Sequence, residues 1–160
     1  MAAVKQDPAR SNWIPPAGGL LLAIGFWLAF LAWVRPLTLP DEGRYAGVAW
    51  DMLRSGSHMV PLLDGMPYFH KPPLYYWLAQ ISYVLFGVNE FSARLPSLLG
   101  AWSAGAALYA FVSRYRNAAQ ARWAVLILGT MPLFFGAAQF ANMDMLVASM
   151  IALCVLAAAD

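Results

Sequence analysis

Four runs of mainly apolar residues, 18–34, 95–112, 123–141 and 145–159, approach or reach the roughly 17 to 25 residues that cross the hydrocarbon core of a bilayer. No other feature narrows the fold as far. A water-soluble domain carries about 25% charged residues, whereas this chain has 11% charged and 61% hydrophobic residues, so lipid must be most of its solvent. The expected fold class is therefore an all-α membrane protein, a multispanning helical bundle. Net charge is only +2 with the basic residues dispersed, which leaves no electrostatic footprint for nucleic acid. The single cysteine, Cys154, lies in an apolar run and excludes a disulfide framework and a cysteine-based metal site. It reads as a small lipid-facing or core residue.

The first run follows Pro15 and Pro16, ends at Arg35 and Pro36, and lacks the small-residue cleavage site of a signal peptide, so it reads as an uncleaved, anchoring span. Arg114, Arg116 and Arg122 form a basic loop without an acid between the second and third runs, which marks the cytoplasmic side. Lys5 and Arg10 support the same orientation. The third run contains Pro132, which membrane helices tolerate when neighbours satisfy the freed carbonyl. Two crossings separate the long loop 35–94 from the turn at Asn142–Asp144. Both therefore lie on one side, the periplasmic one if the arginine loop is cytoplasmic.

Within loop 35–94, Tyr45, Val48, Ala49, Met52 and Leu53 follow the spacing of one helix face, opened by Asp41 and Glu42 after Pro40 and ended by Gly56. A second helix is expected from Pro72 and Pro73 to Phe86, with Gly87 past its end. It is apolar but too short to span, and Tyr75, Tyr76, Trp77 and Tyr83 suit a helix lying in the interface. Met59 to Leu63 with the turn Asp64-Gly65 reads as a hairpin-like connection.

Several residues of these segments are able to carry chemistry. Asp41 and Glu42 stand directly after a span, where a carboxylate would meet the head group of a lipid-linked substrate as a general base; Asp41 as a cap with Glu42 complementing the helix dipole is the structural alternative. Lys71 precedes two prolines at a helix start, so cation and helix terminus together suit a phosphate; a snorkelling lysine is the alternative. His70 reads as a ligand, a phosphate contact or an interfacial histidine. Asp144 sits between two apolar runs on the side that holds Asp41, as a functional group or a cap of the fourth span. Arg94 is either a phosphate contact or the partner of Glu90, four residues earlier. Gln139 and Asn142 line a cavity or are satisfied core groups, and Trp13, Trp27, Trp33, Trp102 and Trp123 serve interface or packing.

The stretch Pro40-Asp41-Glu42-Gly43-Arg44-Tyr45, the segment Tyr68-Phe69-His70-Lys71-Pro72-Pro73-Leu74 with Tyr76-Trp77, and Phe86-Gly87 followed by Arg94-Leu95-Pro96-Ser97 resemble the aminoarabinose lipid A transferases and their protein O-mannosyltransferase relatives. Each motif is short; their joint order and spacing carry the resemblance. It implies a GT-C-like helical bundle with juxtamembrane helices in the first periplasmic loop, in a bacterial inner membrane. It also implies transfer, with inversion, of a sugar from a polyprenyl-phosphate donor to lipid A or another glycan or protein acceptor. Carried over, Asp41 is the candidate catalytic carboxylate, Glu42 its supporting neighbour and Asp144 the second carboxylate. Lys71, Arg94, Tyr45 and Tyr68 are the candidate substrate contacts. A divalent metal ion is the one cofactor raised: the position before Lys71 is often acidic in the aminoarabinose branch, and here His70 is the candidate ligand. The resemblance covers about the first third of such an enzyme, with further spans and a soluble periplasmic domain expected beyond it. A protein O-mannosyltransferase, or a non-catalytic membrane protein in which these motifs are structural, are the competing expectations.

Overall fold

The structure is a computed structural model that describes residues 16–159. Lys5, Arg10 and Trp13 lie outside the described residues. Helix α1 spans Ala17–Ala29, and its turns continue to Val34 through tighter bonds such as Ala32 N–H to Ala29 O at 3.0 Å. The first apolar run is thus filled by a helix that narrows before Arg35.

The long loop folds as its local signals direct. Helix α2 (Asp41–Ser55) ends where Gly56 adopts φ 70°, a left-handed conformation glycine enters without steric cost. A short antiparallel hairpin follows, β1 (Leu62–Leu63) and β2 (Met66–Pro67), turning at Asp64 and Gly65. Helix α3 (Leu74–Phe86) starts after the two prolines and stops at Gly87. The expected apolar face of α2 packs against α3: Tyr45, Val48, Ala49 and Met52 share a buried cluster with Tyr75, Tyr76, Ala79 and Tyr83.

Helix α4 (Glu90–Tyr115) starts five residues before the expected span because Asn89 caps it, accepting the Ser92 N–H at 2.9 Å. Its 26 residues give a length of about 39 Å, enough for a hydrocarbon core of about 30 Å. Pro96 interrupts its ladder, and in that turn the Tyr75 hydroxyl donates to Ala93 O at 2.8 Å.

The third expected span, 123–141, is not one helix. Helices α5 (Ala118–Thr130) and α6 (Pro132–Ala138) meet at a 69° bend. Pro132 has no N–H and disfavours helical geometry in Met131, whose ψ is 124°. The break frees a carbonyl at Gly129, and Trp27 Nε1 donates to it at 3.0 Å. Helix α7 (Met143–Ala158) is capped by Asn142. Helices α1 and α7 are apolar but, with 13 and 16 residues, shorter than a core of about 30 Å requires. Helices α4 and α7 approach closely at Gly100, where an added Cβ would meet Leu146 Cα at 3.3 Å and Ser149 Oγ at 3.2 Å. A second apolar cluster, built on Leu20, Ile24, Leu28, Leu98, Ala101 and Val125, joins α1, α4 and α5.

Candidate active site

The start of α2 is fixed by one buried carboxylate. Glu42 Oε1 accepts from Arg94 Nε (2.9 Å), Arg35 Nη2 (3.1 Å) and the Ala141 N–H (2.9 Å). Its Oε2 accepts from Arg94 Nη2 (3.1 Å) and from the N–H and hydroxyl of Thr38, both at 2.8 Å. The other N–H groups of Arg94 reach the carbonyls of Ala32 (2.9 Å), Arg35 (2.7 Å) and Pro36 (3.0 Å), closing the chain end that leaves α1. Burial alone would raise the Glu42 carboxyl, but the bonds from Arg94, Ala141, Thr38 and Arg35 outweigh it and hold the pKa down to about 2. One ionised group therefore ties the exit of α1, the start of α2, the start of α4 and the turn before α7.

Asp41 precedes this anchor and faces a different environment. The N-cap of α2 is Pro40, with no side-chain cap bond, so capping does not occupy the Asp41 carboxylate. It pairs instead with Arg44, one helical turn along. The hairpin brings the next segment back over α2: Asp51 accepts the Asp64 N–H at 2.7 Å, and the Tyr68 N–H donates to Pro61 O at 2.7 Å. Asn142 accepts the Asp144 N–H at 3.2 Å, and its amide donates to the Asp144 carboxylate at 3.4 Å. The capping task at α7 therefore falls on Asn142 and leaves Asp144 for the pocket.

These devices converge on a cavity of about 270 Å³ whose walls include Asp41, Arg44, Tyr45, Tyr68, Lys71 and Asp144. Two carboxylates and two cations thus share one chamber. Burial raises the Tyr45 pKa and the nearby Asp144 charge adds to it, so the phenol stays a protonated donor at neutral pH. Burial pushes the Tyr76 phenol up as well.

Of the residues singled out in the sequence, Asp41, Tyr45, Tyr68, Lys71 and Asp144 are brought together here. Glu42 and Arg94 are not: both side chains are fully buried in their ion pair, and all five Arg94 N–H groups are already bonded within the protein. Arg94 pairs with Glu42, not Glu90, and the geometry gives it no donor for a substrate phosphate. His70 is exposed and stacks on Tyr68 at 4.7 Å between ring centroids. Among the described residues no three His, Cys, Asp or Glu side chains gather as a metal site would need, and His70 has no second ligand beside it. Gln139 is buried with no partner for its side-chain amide, unlike the satisfied core group expected. Arg44 is a pocket residue that the sequence reading left unassigned; its place three residues after Asp41 on one helix was the available signal.

Residues 70–159 match the family described as dolichyl-phosphate-mannose-protein mannosyltransferase. The undecaprenyl phosphate-alpha-4-amino-4-deoxy-L-arabinose arabinosyl transferase of Serratia proteamaculans is 38% identical over 78% of this chain and 23% of its own length. The enzyme of that name from Shewanella sediminis is 42% identical over 55% of this chain and 16% of its own length. The crystal structure of ArnT from Cupriavidus metallidurans bound to undecaprenyl phosphate superposes with a TM-score of 0.78 at 31% identity, covering 86% of this chain and 26% of that one. The chain thus spans between 16% and 26% of the length of these relatives.

Proposed function

The chain belongs to the family of dolichyl-phosphate-mannose-protein mannosyltransferases, and from that premise we propose that its charged pocket serves transfer of a sugar from a polyprenyl-phosphate donor to an envelope acceptor, lipid A foremost. The observation that carries this reading is the meeting of Asp41, Lys71 and Asp144, from three separate segments, in one cavity. An acceptor oxygen attacks the anomeric carbon while the bond from that carbon to the donor phosphate oxygen breaks, with inversion. The electron pair leaves with the polyprenyl phosphate. Lys71, at the start of α3, stabilises the charge that grows on this phosphate. Asp41 takes the proton of a hydroxyl acceptor or orients the acceptor, and Asp144 is the second carboxylate of the site. Tyr45 and Tyr68 hold the sugar or its head group through their hydroxyls.

Lys71→Gln is expected to lower transfer by about 10² to 10³, the loss typical of one electrostatic stabiliser. Lys71→Arg should retain more, because it keeps the charge with a different reach. The assay is release of labelled sugar from the lipid donor in membranes, with expression and thermal midpoint matched. Parent-like rates in both variants would reduce Lys71 to an interfacial anchor. Offering an aminoarabinose donor with lipid A and a mannose donor with a protein acceptor, side by side, separates the lipid A reading from the protein acceptor that the family description favours. Transfer from neither donor would sink both.

We also propose that the pocket faces the periplasm across a bacterial inner membrane. In a Cys154→Ser background, cysteines at Asp64 and Asn142 should both react with an impermeant thiol reagent from the periplasm, and one at Asn117 should not. Labelling of Asp64 and Asn142 from opposite sides would refute this topology.

A further inference from the structure

Helix α3 carries three buried tyrosines whose hydroxyls are used differently. Tyr75 donates to Ala93 O at 2.8 Å and Tyr83 to Ala46 O at 3.3 Å, so both phenols are spent on backbone carbonyls of the neighbouring helices. Tyr76 has only 1% of its surface exposed, yet among the described residues its hydroxyl has no hydrogen-bond partner. Its oxygen is not sealed in as the unpartnered Ser82 Oγ is: Tyr76 is a wall of the charged chamber, and Tyr45, Tyr68 and Arg44 of that chamber are the groups that act on its phenol. A buried tyrosine hydroxyl normally finds a partner, because leaving the bond unmade strands a desolvated polar atom. For Tyr76 the partner must come from what enters the chamber. The ring is also held in place. Tyr75 meets it edge-on, with centroids 6.4 Å apart and planes at 89°, and Tyr45 lies against it at 6.0 Å. A donor fixed by two neighbouring rings loses little freedom on binding and so selects by position. Burial raises its pKa, with Tyr45 and Tyr68 adding to the effect against the opposing pull of Arg44, so the phenol stays neutral and able both to donate and to accept.

We infer that the Tyr76 hydroxyl is a specificity-determining contact to a hydroxyl of the sugar being transferred. The inference deepens the donor reading proposed above and rests on it. The sugar is favoured over the donor phosphate because Lys71 and Arg44 already offer that anion charged donors, which bind it more strongly than a neutral phenol does. It is favoured over the acceptor because Tyr76 lies in the first turn of α3, just after the lysine assigned to the phosphate, and the sugar is the group bonded to that phosphate. Asp41, assigned to the acceptor, stands on α2.

The experiment measures single-turnover transfer from the undecaprenyl-phosphate sugar that the parent accepts, and from analogues that each lack one sugar hydroxyl. Tyr76→Phe should lower transfer of the intact sugar by about threefold to tenfold, the effect of one neutral hydrogen bond. With one of the deoxy analogues the parent should show a loss of that size and Tyr76→Phe no further loss, while on the other analogues the two losses should multiply. The thermal midpoint without donor supplies a second measurement. Tyr76→Phe should keep the parental midpoint, because it removes no hydrogen bond within the protein, whereas Tyr75→Phe loses the bond to Ala93 O and should lower the midpoint while leaving discrimination among the analogues intact. Parent-like transfer of the intact sugar by Tyr76→Phe, or multiplying losses on every analogue, overturns the contact while the donor reading stands. A midpoint lowered as far in Tyr76→Phe as in Tyr75→Phe assigns the hydroxyl to the fold and overturns the contact as well. Transfer from no donor by the parent removes the donor reading and the contact with it.

Discussion

Asp41→Asn is expected to reduce transfer by about 10² to 10⁴, the range supplied by one general acid–base group. Asn has nearly the size and shape of Asp, and the group lost is charge and proton acceptance. The fold should be indifferent. The N-cap of α2 is Pro40, and the Asp41–Arg44 pair is exposed, with 58% and 41% of the side chains accessible, so it adds little stability. The measurement is the single-turnover rate from a polyprenyl-phosphate sugar, at matched expression and thermal midpoint. A rate near that of the parent would leave Asp41 with no part in the reaction. The pairing adds a corollary: Arg44→Gln removes the cation that Asp41 faces in the pocket, so its effect should appear in the same assay and not in the thermal midpoint.

Glu42→Gln is expected to show the opposite pattern, a loss of about 3 to 5 kcal/mol in stability, because it strips the counter-charge from a fully buried arginine. Gln also cannot accept at both oxygens, and the N–H groups of Ala141 and Thr38 would compete for what remains. The pH dependence follows from the depressed carboxyl. With a folded pKa of about 2 against an ordinary 4.5, Glu42 contributes its full stabilisation above pH 4.5 and loses it as the pH falls towards 2. Thermal midpoints of the detergent-purified parent should therefore decline across that window, and Glu42→Gln should lack this part of the decline. An unchanged midpoint in Glu42→Gln at neutral pH would mean that the four segments are held by other forces.

What was legible in the sequence was local. Helices α2 and α3 lie where their signals put them because Gly56, Gly87 and the pair Pro72-Pro73 act on their own backbone. The expected hairpin forms for the same reason at Asp64-Gly65. The break at Met131 was signalled by Pro132, but hydropathy averages over a bend and so joined two helices into one run. The role of Glu42 was out of reach: its partners Arg94 and Ala141 lie 52 and 99 residues away, and no periodicity registers a contact at such separation. For Arg94 the sequence offers only a phosphate or Glu90 four residues earlier, because spacing along one helix is the only relation visible there. Asp41, Lys71 and Asp144 became a group through the even number of crossings between their loops, although a 69° bend interrupts one of those crossings.

The partners of the Glu42 anchor also leave the ribosome in a fixed order. Arg94 stands at the head of the longest apolar helix, and a lone guanidinium at that depth is costly. Its counter-charge, Glu42, leaves the ribosome 52 residues earlier, so α4 can settle into the bilayer with a partner already waiting. The Ala141 N–H arrives 47 residues after Arg94, the difference between the two separations of 99 and 52. It meets the same carboxylate oxygen that Arg94 Nε holds. Asp144, three residues further on, is the last of the pocket's residues to leave the ribosome.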